Sequence, residues 1–492
     1  MTRKTLTDIF NAEEFRSLGH QLIDVLADQL DRQLQGKGKV LNWRDPASED
    51  THWQQALPMQ PTIDSAELLQ KLKAEILPAS LAIHHPRNMG HQVAMPIPVA
   101  ALCDLVAALT NQAMAVYEAG PTATMIERQV LRWLSQLVGW KTDGAEVHGV
   151  LTSGGAQANL TALLAARQVA TRQRSAASNV WKTGVVSHAP MYILASEHAH
   201  YSVSRAAGIM GLGTDSVISI ATDHQGRMVA AELAKAHEAC IRNKQHIMAV
   251  VANAGCTPTG SIDPLLEIGQ YCRKNQLWLH VDGAHGASAL LSNQHRQLLN
   301  GIELADSVVW DGHKLLYMPA TVSAVLFREP ENSYAAFAQD ASYLFQGSNH
   351  DVETYNVSYR TLECTKRMMG LKLWAAFSLY GVENLGSVVD RAFATARLLA
   401  TKLSDAADFE LLMQPQTNIV CFRHLCDGHM EPESLNALQA KLRMALVQSG
   451  AFHLTQVRLH GALWLRTTLM NPVTQESDLD ALLLALRSAT LD

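Results

Sequence analysis

The chain has 492 residues, of which 48% are hydrophobic and 17% charged, enough apolar material for more than one core. A net charge of −6 and a pI near 6.4 give no reason to expect nucleic acid or an anionic membrane as partner. Seven scattered cysteines without a C-x-x-C pair point to neither a disulfide framework nor a zinc site.

In chain order, the start (MTRKTLTDIFNAEEF) has no apolar core of signal-peptide length, so a cytoplasmic location is expected. Leu6–Leu34 carries apolar residues at helical spacing: Phe10, Phe15, Leu18, Leu22, Ile23, Leu26 and Leu30. Trp43–Thr51 reads as a polar, proline-containing break. Asp64 or Ser65 is placed to cap a helix over Ala66–Ile76, which Pro78 ends. In Ile83–Gln92 (IHHPRNMGHQ) two adjacent histidines have poor chelate spacing and no accompanying acid, so no metal is expected. Val99–Val138 is helical in pattern, broken at Gly120-Pro121. Its most apolar part, Ile97–Leu109, contains Asp104 and is too short to span a bilayer.

Gly149–Ala166 (GVLTSGGAQANLTALLAA) is a strand running into Gly154-Gly155 and then an Ala- and Leu-rich helix. Backbone N–H groups at such a helix start, unobstructed by side chains, make an anion site. Met191–Ser196 is a strand, followed by Glu197-His198-Ala199-His200-Tyr201; two histidines at i, i+2 without a third ligand read as structural, not as a metal site. Ile247–Ala252 is another buried strand, then Gly255–Pro264 a turn-rich loop and Ile262–Cys272 a helix.

The centre of the chain is Trp278–Gly286 (WLHVDGAHG) and Ala305–Pro319 (ADSVVWDGHKLLYMP). The first is an apolar strand ending in Asp282. The second is a β-branched and aromatic strand ending at the Asp311-Gly312 turn signal, with His313 and Lys314 directly after. Asp282 precedes Lys314 by 32 positions, room for a helix over Ser288–Gly301 between two parallel strands, so both side chains can reach one sheet edge. Burying a lysine is costly unless it has a task, and forming a Schiff base with an aldehyde is one. An acid for a pyridinium nitrogen and a lysine for an aldehyde are what pyridoxal 5'-phosphate (PLP) asks of a protein. Thr321–Phe327 adds a further buried strand, and the alternation over Gly149–Phe327 predicts an α/β fold with a mostly parallel sheet. Tyr343–Tyr359 is patternless and reads as a long loop. Cys364–Leu403 is helical with a break at Gly381. The remainder alternates strands at Phe409–Met413, Asn418–Phe422 and Leu463–Leu469 with helices at Pro432–Val447 and Ser477–Leu486, a small α+β domain. Arg466 sits inside the last apolar strand, where a carboxylate clamp and a structural partner are both open readings.

Asp282 in its HVD-Gly-Ala setting, followed by Asp-x-x-x-x-Asp-Gly-His-Lys, resembles the group II PLP-dependent amino-acid decarboxylases, a likeness running from about residue 80 to the C-terminus. The resemblance implies fold type I, with a helical N-terminal segment (1–95), a large PLP-binding domain (96–365) and a small C-terminal domain (366–492). It implies that Lys314 bonds the PLP aldehyde, that Asp282 pairs with the pyridine nitrogen, and that His200 and Ala284 hold the two faces of the ring. Gly155, Ala156 and His313 would anchor the phosphate, Ala156 standing where the family often has Ser or Thr. Thr257 would lie close to the cofactor. Tyr355, with Tyr359 as the fallback, matches a loop tyrosine that protonates the substrate carbanion; an aromatic that only anchors the loop is the competing reading. Arg466, Gln92 and His91 match positions near the substrate. The family also implies a homodimer. Tyr343–Gln346 (YLFQ) and Glu363–Trp374 (ECTKRMMGLKLW) look closer to the glutamate and cysteine sulfinate branch, while the TSGG turn and the Tyr355-Asn356 pair look equally like the 2,4-diaminobutyrate branch; an acidic substrate is the first expectation, 2,4-diaminobutyrate the second and an aromatic amino acid the third. A PLP-dependent aminotransferase and a non-catalytic homologue are the rivals from other classes.

Overall fold

The computed structural model describes residues 6–142, 147–175, 178–337, 354–425 and 430–491. The chain packs as two compact units. One contains Gln92–Ala394 and Met413–Ile419; the other gathers the chain up to His91, Thr395–Leu412 and the stretch from Val420 onward. Both units are assembled from non-contiguous stretches, which a reading along the chain does not anticipate.

The first unit is built on seven short strands: β1 (Gly149–Thr152), β2 (Met191–Ser196), β3 (Val217–Ile220), β4 (His246–Asn253), β5 (Leu279–Asp282), β6 (Ser307–Asp311) and β7 (Ser323–Phe327). Their order in the sheet is β1-β7-β6-β5-β4-β2-β3. β3, β2, β4, β5 and β6 are mutually parallel, and β7 runs antiparallel to both of its neighbours. Val, Ile, Leu and Ala fill these strands because both faces are covered, as continuous apolar runs require. The helix Gly155–Arg174 lies buried along most of its length, and the small side chains of Ala158, Ala162, Ala165 and Ala166 let it approach Val150, Val309 and Val325 of the sheet. With β6 and β7 antiparallel, the end of β6 and the start of β7 meet at one sheet edge, where Asp311 is registered with Ser323.

β1 forms one border of this sheet, and side chains occupy its outer backbone groups. Leu151 N donates to Glu127 Oε1 at 3.2 Å, and Lys366 Nζ donates to Leu151 O at 2.7 Å and pairs with Glu127. Arg360 Nη1 donates to Gly149 O at 3.2 Å. Both members of the Lys366–Glu127 pair are buried. Lys366→Met strands the Glu127 charge, and a loss of about 3–5 kcal/mol is expected. The urea midpoint records it. A Lys366→Met, Glu127→Leu double variant is expected to recover part of the loss; a single variant as stable as the parent would show that the pair carries nothing.

The second unit has a four-stranded sheet of β8 (Phe409–Leu411), β9 (Ile419–His424), β10 (Thr455–Leu459) and β11 (Ala462–Thr468), in the order β10-β11-β9-β8. Val420, Phe422, Leu454 and Leu465 of its core meet Leu442 and Leu446 from the helix Pro432–Ser449, and Leu479, Leu482 and Leu486 from the helix Glu476–Leu491.

Several local expectations are corrected. No helix forms over Ser288–Gly301; three 3₁₀ turns (Gly286–Leu291, Arg296–Leu299, Ile302–Leu304) replace it. The Ser292 hydroxyl accepts from Gln294 N and His295 N at 3.0 Å each, a local alternative to helical bonding. A Cβ on Gly286 would run into the Ala254 carbonyl, so this turn packs too tightly on the end of β4 for an ordinary helix start. Trp43–Thr51 is not a plain break. Asp45 accepts from Ser48 N at 3.0 Å and Pro46 opens the helix Pro46–Trp53, a capped start in a stretch of polar composition. β3, β10 and the helix Ala230–Arg242 were not anticipated.

Candidate active site

The carboxyl ends of β1, β2, β4, β5 and β6 open on a cavity of about 250 Å³ within the first unit. Strand ends of an open α/β sheet leave backbone and side chains free to meet a ligand. Lys314, Asp282, His200, His313, Gly155, Ala156, Thr257 and Ala284 all line this cavity. Asp282 ends β5, and its register partner on the neighbouring parallel strand is Val309, two residues before the end of β6.

Each group is held by its element. Asp282 Oδ1 accepts from Ala284 N at 3.2 Å and Oδ2 from Asn159 Nδ2 at 2.9 Å. Lys314 Nζ lies 3.1 Å from Asp311 Oδ2, and the other Asp311 oxygen accepts from the Ser323 hydroxyl. His313 Nε2 is 3.6 Å from the same carboxylate, and its Nδ1 is 2.9 Å from Val322 O. A Cβ on Gly155 would come within 2.9 Å of Asp311 Oδ1, so the β6 end and the start of the glycine helix fit only while residue 155 has no side chain. No side chain caps that helix. Nearby polar side chains are engaged elsewhere: Ser153 Oγ donates to Glu363 Oε1 at 3.0 Å, and Gln157 Nε2 donates to Glu363 Oε2. The N-terminal backbone N–H groups are left to face an anion.

His200 sits four residues beyond β2. Burial, with Lys314 adding to it, holds its imidazole below the usual histidine range, against the pull of Asp282 and Asp311. On the loop after β4, Asp263 is buried and pushed up to about 7 by desolvation, while its carboxyl oxygens accept from Met228 N at 2.6 Å and Asn253 N at 2.7 Å. Those bonds tie down the turn that carries Cys256 and Thr257. Asn253 lines the cavity, and its Nδ2 is buried and without a hydrogen-bond partner among the described residues.

Residues 49–425 match the pyridoxal-dependent decarboxylase conserved domain. The chain belongs to the pyridoxal-dependent decarboxylase family. It is 31% identical to cysteine sulfinic acid decarboxylase of Rattus norvegicus over 455 residues, 90% of each chain. It is 30% identical to L-2,4-diaminobutyrate decarboxylase of Acinetobacter baumannii over 438 residues, 87% of this chain and 85% of the relative. The crystal structure of mouse CSAD superposes with a TM-score of 0.87 at 29% identity, covering 96% of this chain and 98% of that one. The seven-stranded sheet and the small antiparallel sheet are those of the decarboxylases of PLP fold type I.

The family's cofactor is PLP, and the cavity's chemistry suits it. It offers an amine for the aldehyde, a carboxylate for the pyridine nitrogen and uncapped helix N–H groups for the phosphate. Asn253 Nδ2 is a buried donor in need of an acceptor. Among the described residues no group of three or more His, Cys, Asp or Glu is placed to hold a metal ion, and no helix is long and apolar enough to cross a membrane.

Of the predicted residues, Tyr355, Tyr359 and Gln92 are not among those that line the cavity. Tyr355 has its ring 5.8 Å from Tyr117 and 4.4 Å below the Arg128 guanidinium. Residues 343–353 of its predicted loop lie outside the described residues; Tyr359 falls in a 3₁₀ turn, Val357–Arg360. Gln92 is two residues before Ala94, whose N–H lies 3.5 Å from His313 O, and Gln92 Nε2 is buried without a partner among the described residues. Arg466 belongs to the second unit, buried in β11, where Nη1 donates to Thr455 Oγ1 at 3.2 Å. His91, at the end of the same unit, has its ring 5.5 Å from that of His453.

Sequence reasoning missed Asp311, taken as a turn signal, Asn159, which lines the cavity, and His280, Ser307 and Ser202 behind it. His280 is fully buried on β5, and desolvation pushes it down to about 4 against the opposing pull of Asp282. In the unfolded chain a histidine takes its proton near pH 6.5. As pH falls from about 6.5 toward 4, the unfolded chain therefore binds protons that the folded chain refuses, and stability is lost across that window. His453, also pushed down to about 4 by burial, acts in the same direction, and the two together outweigh Asp263, which at about 7 takes its proton first in the folded chain and offsets part of the loss. The urea midpoint is expected to be lower at pH 5.5 than at pH 7.5; an equal or higher value at pH 5.5 would contradict this accounting.

Proposed function

We propose that this family member decarboxylates an acidic L-amino acid, with Lys314 and Asp282 as its central residues. The observation that carries the reading is their arrangement: a lysine and a carboxylate at the ends of neighbouring parallel strands, lining one cavity with an uncapped helix start. Lys314 would supply the amine that holds the cofactor by its aldehyde. Asp282 holds a proton on the pyridine nitrogen by opposing its charge. When bound, PLP supplies the electron sink that accepts the pair left behind by CO₂. N–H groups of Gly155 and Ala156, with His313 beside them, take the phosphate; Thr257 lies along the same wall. His200 and Ala284, which line the cavity, would confine the ring and favour the orientation in which the Cα–carboxylate bond breaks. Loss of CO₂, rather than of the Cα proton, follows from which bond is held in that direction. Tyr355, packed on Arg128, keeps both roles its sequence setting offers, the loop tyrosine that returns the proton and the aromatic that anchors the loop.

Substrate choice rests on the relatives. The rat and mouse proteins are named for cysteine sulfinic acid, an acidic amino acid. Gln92 Nε2, buried and without a partner among the described residues, is a donor suited to an acidic side chain. The alternative is 2,4-diaminobutyrate, the substrate named for the relative that is 30% identical. The test is CO₂ release by the PLP-loaded protein from glutamate, aspartate, cysteine sulfinate, diaminobutyrate, lysine and DOPA. Release from an acidic member supports the proposal. Release from diaminobutyrate alone replaces the substrate and keeps the reaction; amino-group transfer without CO₂ would place the chain with aminotransferases.

A homodimer completes the reading. The helix Pro98–Thr110 exposes Leu102, Leu105, Val106 and Leu109, the last at 67%, an apolar face of the kind an interface covers. Sedimentation of the purified protein at twice the chain mass is expected; a monomer at micromolar concentration would remove the dimer.

A further inference from the structure

Behind the cavity runs a line of buried polar side chains whose protons can be placed one by one. Trp278 Nε1 lies 3.0 Å from Ser307 Oγ, and Ser307 Oγ lies 2.8 Å from His280 Nδ1. His280 Nε2 lies 2.9 Å from Asn159 Oδ1. Asn159 Nδ2 is 2.9 Å from both Ser202 Oγ and Asp282 Oδ2. Ser202 Oγ is 2.8 Å from His200 Nδ1.

The Asp282 end of this line is fixed by chemistry, and the Trp278 end is compatible with it. An indole N–H can only donate, so Ser307 accepts from Trp278 and keeps its own proton available for His280 Nδ1. That nitrogen is then unprotonated, and in the neutral ring the proton sits on Nε2, donating to Asn159 Oδ1. Independently, the Asp282 carboxylate receives N–H groups on both oxygens, which orients the Asn159 amide with its nitrogen toward Asp282 and its oxygen toward His280. The two assignments agree. The second Asn159 N–H enters Ser202 Oγ, which therefore donates to His200 Nδ1. Ser202 N also lies 3.3 Å from that same nitrogen and can only donate.

We propose that Asn159 is a positioning residue for the reaction: it is the branch point of a one-way hydrogen-bond chain from Trp278 that holds His200 as its neutral Nε2–H tautomer and holds Asp282 as an acceptor. His200 thus enters the cavity with Nδ1 occupied and Nε2–H as its remaining donor. A neutral ring can lie against a pyridinium without like-charge repulsion, and its N–H can meet a substrate carboxylate. The groups facing His200 are arranged accordingly: Asp282 and Asp311 favour its charged form, while burial, Lys314 and Arg205 oppose it.

The test is ¹⁵N NMR on the full chain, without PLP, carrying ring-labelled histidine. Signals of His200 and His280 are assigned by their loss in His200→Gln and His280→Gln. Both rings are expected to be neutral at pH 7 with the proton on Nε2. A proton on Nδ1 of either ring, or a charged His200, overturns the proposal. In Asn159→Asp the new carboxyl meets Asp282 and the two share one proton, so the N–H donor to Ser202 is gone and the Ser202 hydroxyl turns toward the new oxygen. His200 then loses one of its two donors, and its titration midpoint rises by about one pH unit. Ser202→Ala, which removes the hydroxyl donor alone, shifts the midpoint in the same direction by less and serves if Asn159→Asp does not fold. A residue that merely fills space would leave the midpoint where it is, and an unchanged midpoint in both variants overturns the proposal whatever their activity.

Discussion

Lys314→Ala is expected to lose decarboxylation by on the order of 10⁴-fold or more while keeping the fold, because the amine that bonds the cofactor is gone and no cavity neighbour replaces it. Lys314 is partly exposed, at 18%, so its pair with Asp311 contributes modestly to stability. The Asp311 carboxylate keeps the Ser323 hydroxyl as a partner. Lys314→Arg separates charge from nucleophile: the guanidinium preserves the positive neighbour of Asp311 and stays protonated, so it cannot form the bond. Both variants are expected to fail in CO₂ release and to carry no cofactor after borohydride reduction, as read by intact mass. Measurable turnover in Lys314→Arg would mean that Lys314 acts through its charge, and the assignment would fall.

For Asp282→Ala the expected loss is on the order of 10²–10³ in kcat, the scale of removing one preorganised electrostatic partner. PLP affinity should suffer less, since the helix start, His313 and Lys314 remain. Asp282→Asn keeps the shape and removes the charge, so a comparable loss there assigns the effect to the carboxylate's charge rather than to the space it fills. If either variant turned over at the parent rate, Asp282 would not be the partner of the pyridine nitrogen.

Much of this arrangement was readable in the chain. Asp282 ends the run WLHVD, and Lys314 follows three residues after the end of SVVWD, two largely apolar runs whose closing acid marks a strand end. Gly154-Gly155 before an Ala-rich helix announced the anion turn. The residues behind the cavity were less legible because each is a single polar residue inside an apolar element. A signal was nevertheless present: His280 within WLHVD and Asn159 within AQANLTALLAA are polar groups with no solvent to bond, and each had to find a partner. Which partner it found depended on β5 lying against the helix from Gly155, a relation that spans more than a hundred residues. Asp311 was misread because Asp-Gly is a turn signal, whereas here the strand persists through Asp311 and pairs it with Ser323. Tyr355 and Arg466 were singled out by resemblance, and a local pattern could not say what would lie against them.

A bare sheet border is a template on which a second chain can lay its own backbone, the first step toward aggregation. At β1 that template is already filled. The Gly149 carbonyl is taken by Arg360, and both backbone groups of Leu151 by Lys366 and Glu127. An incoming strand would have to displace a buried ion pair to find its first hydrogen bond. The side chains that hold the strand entering the glycine turn therefore also keep one copy of the protein from growing onto another.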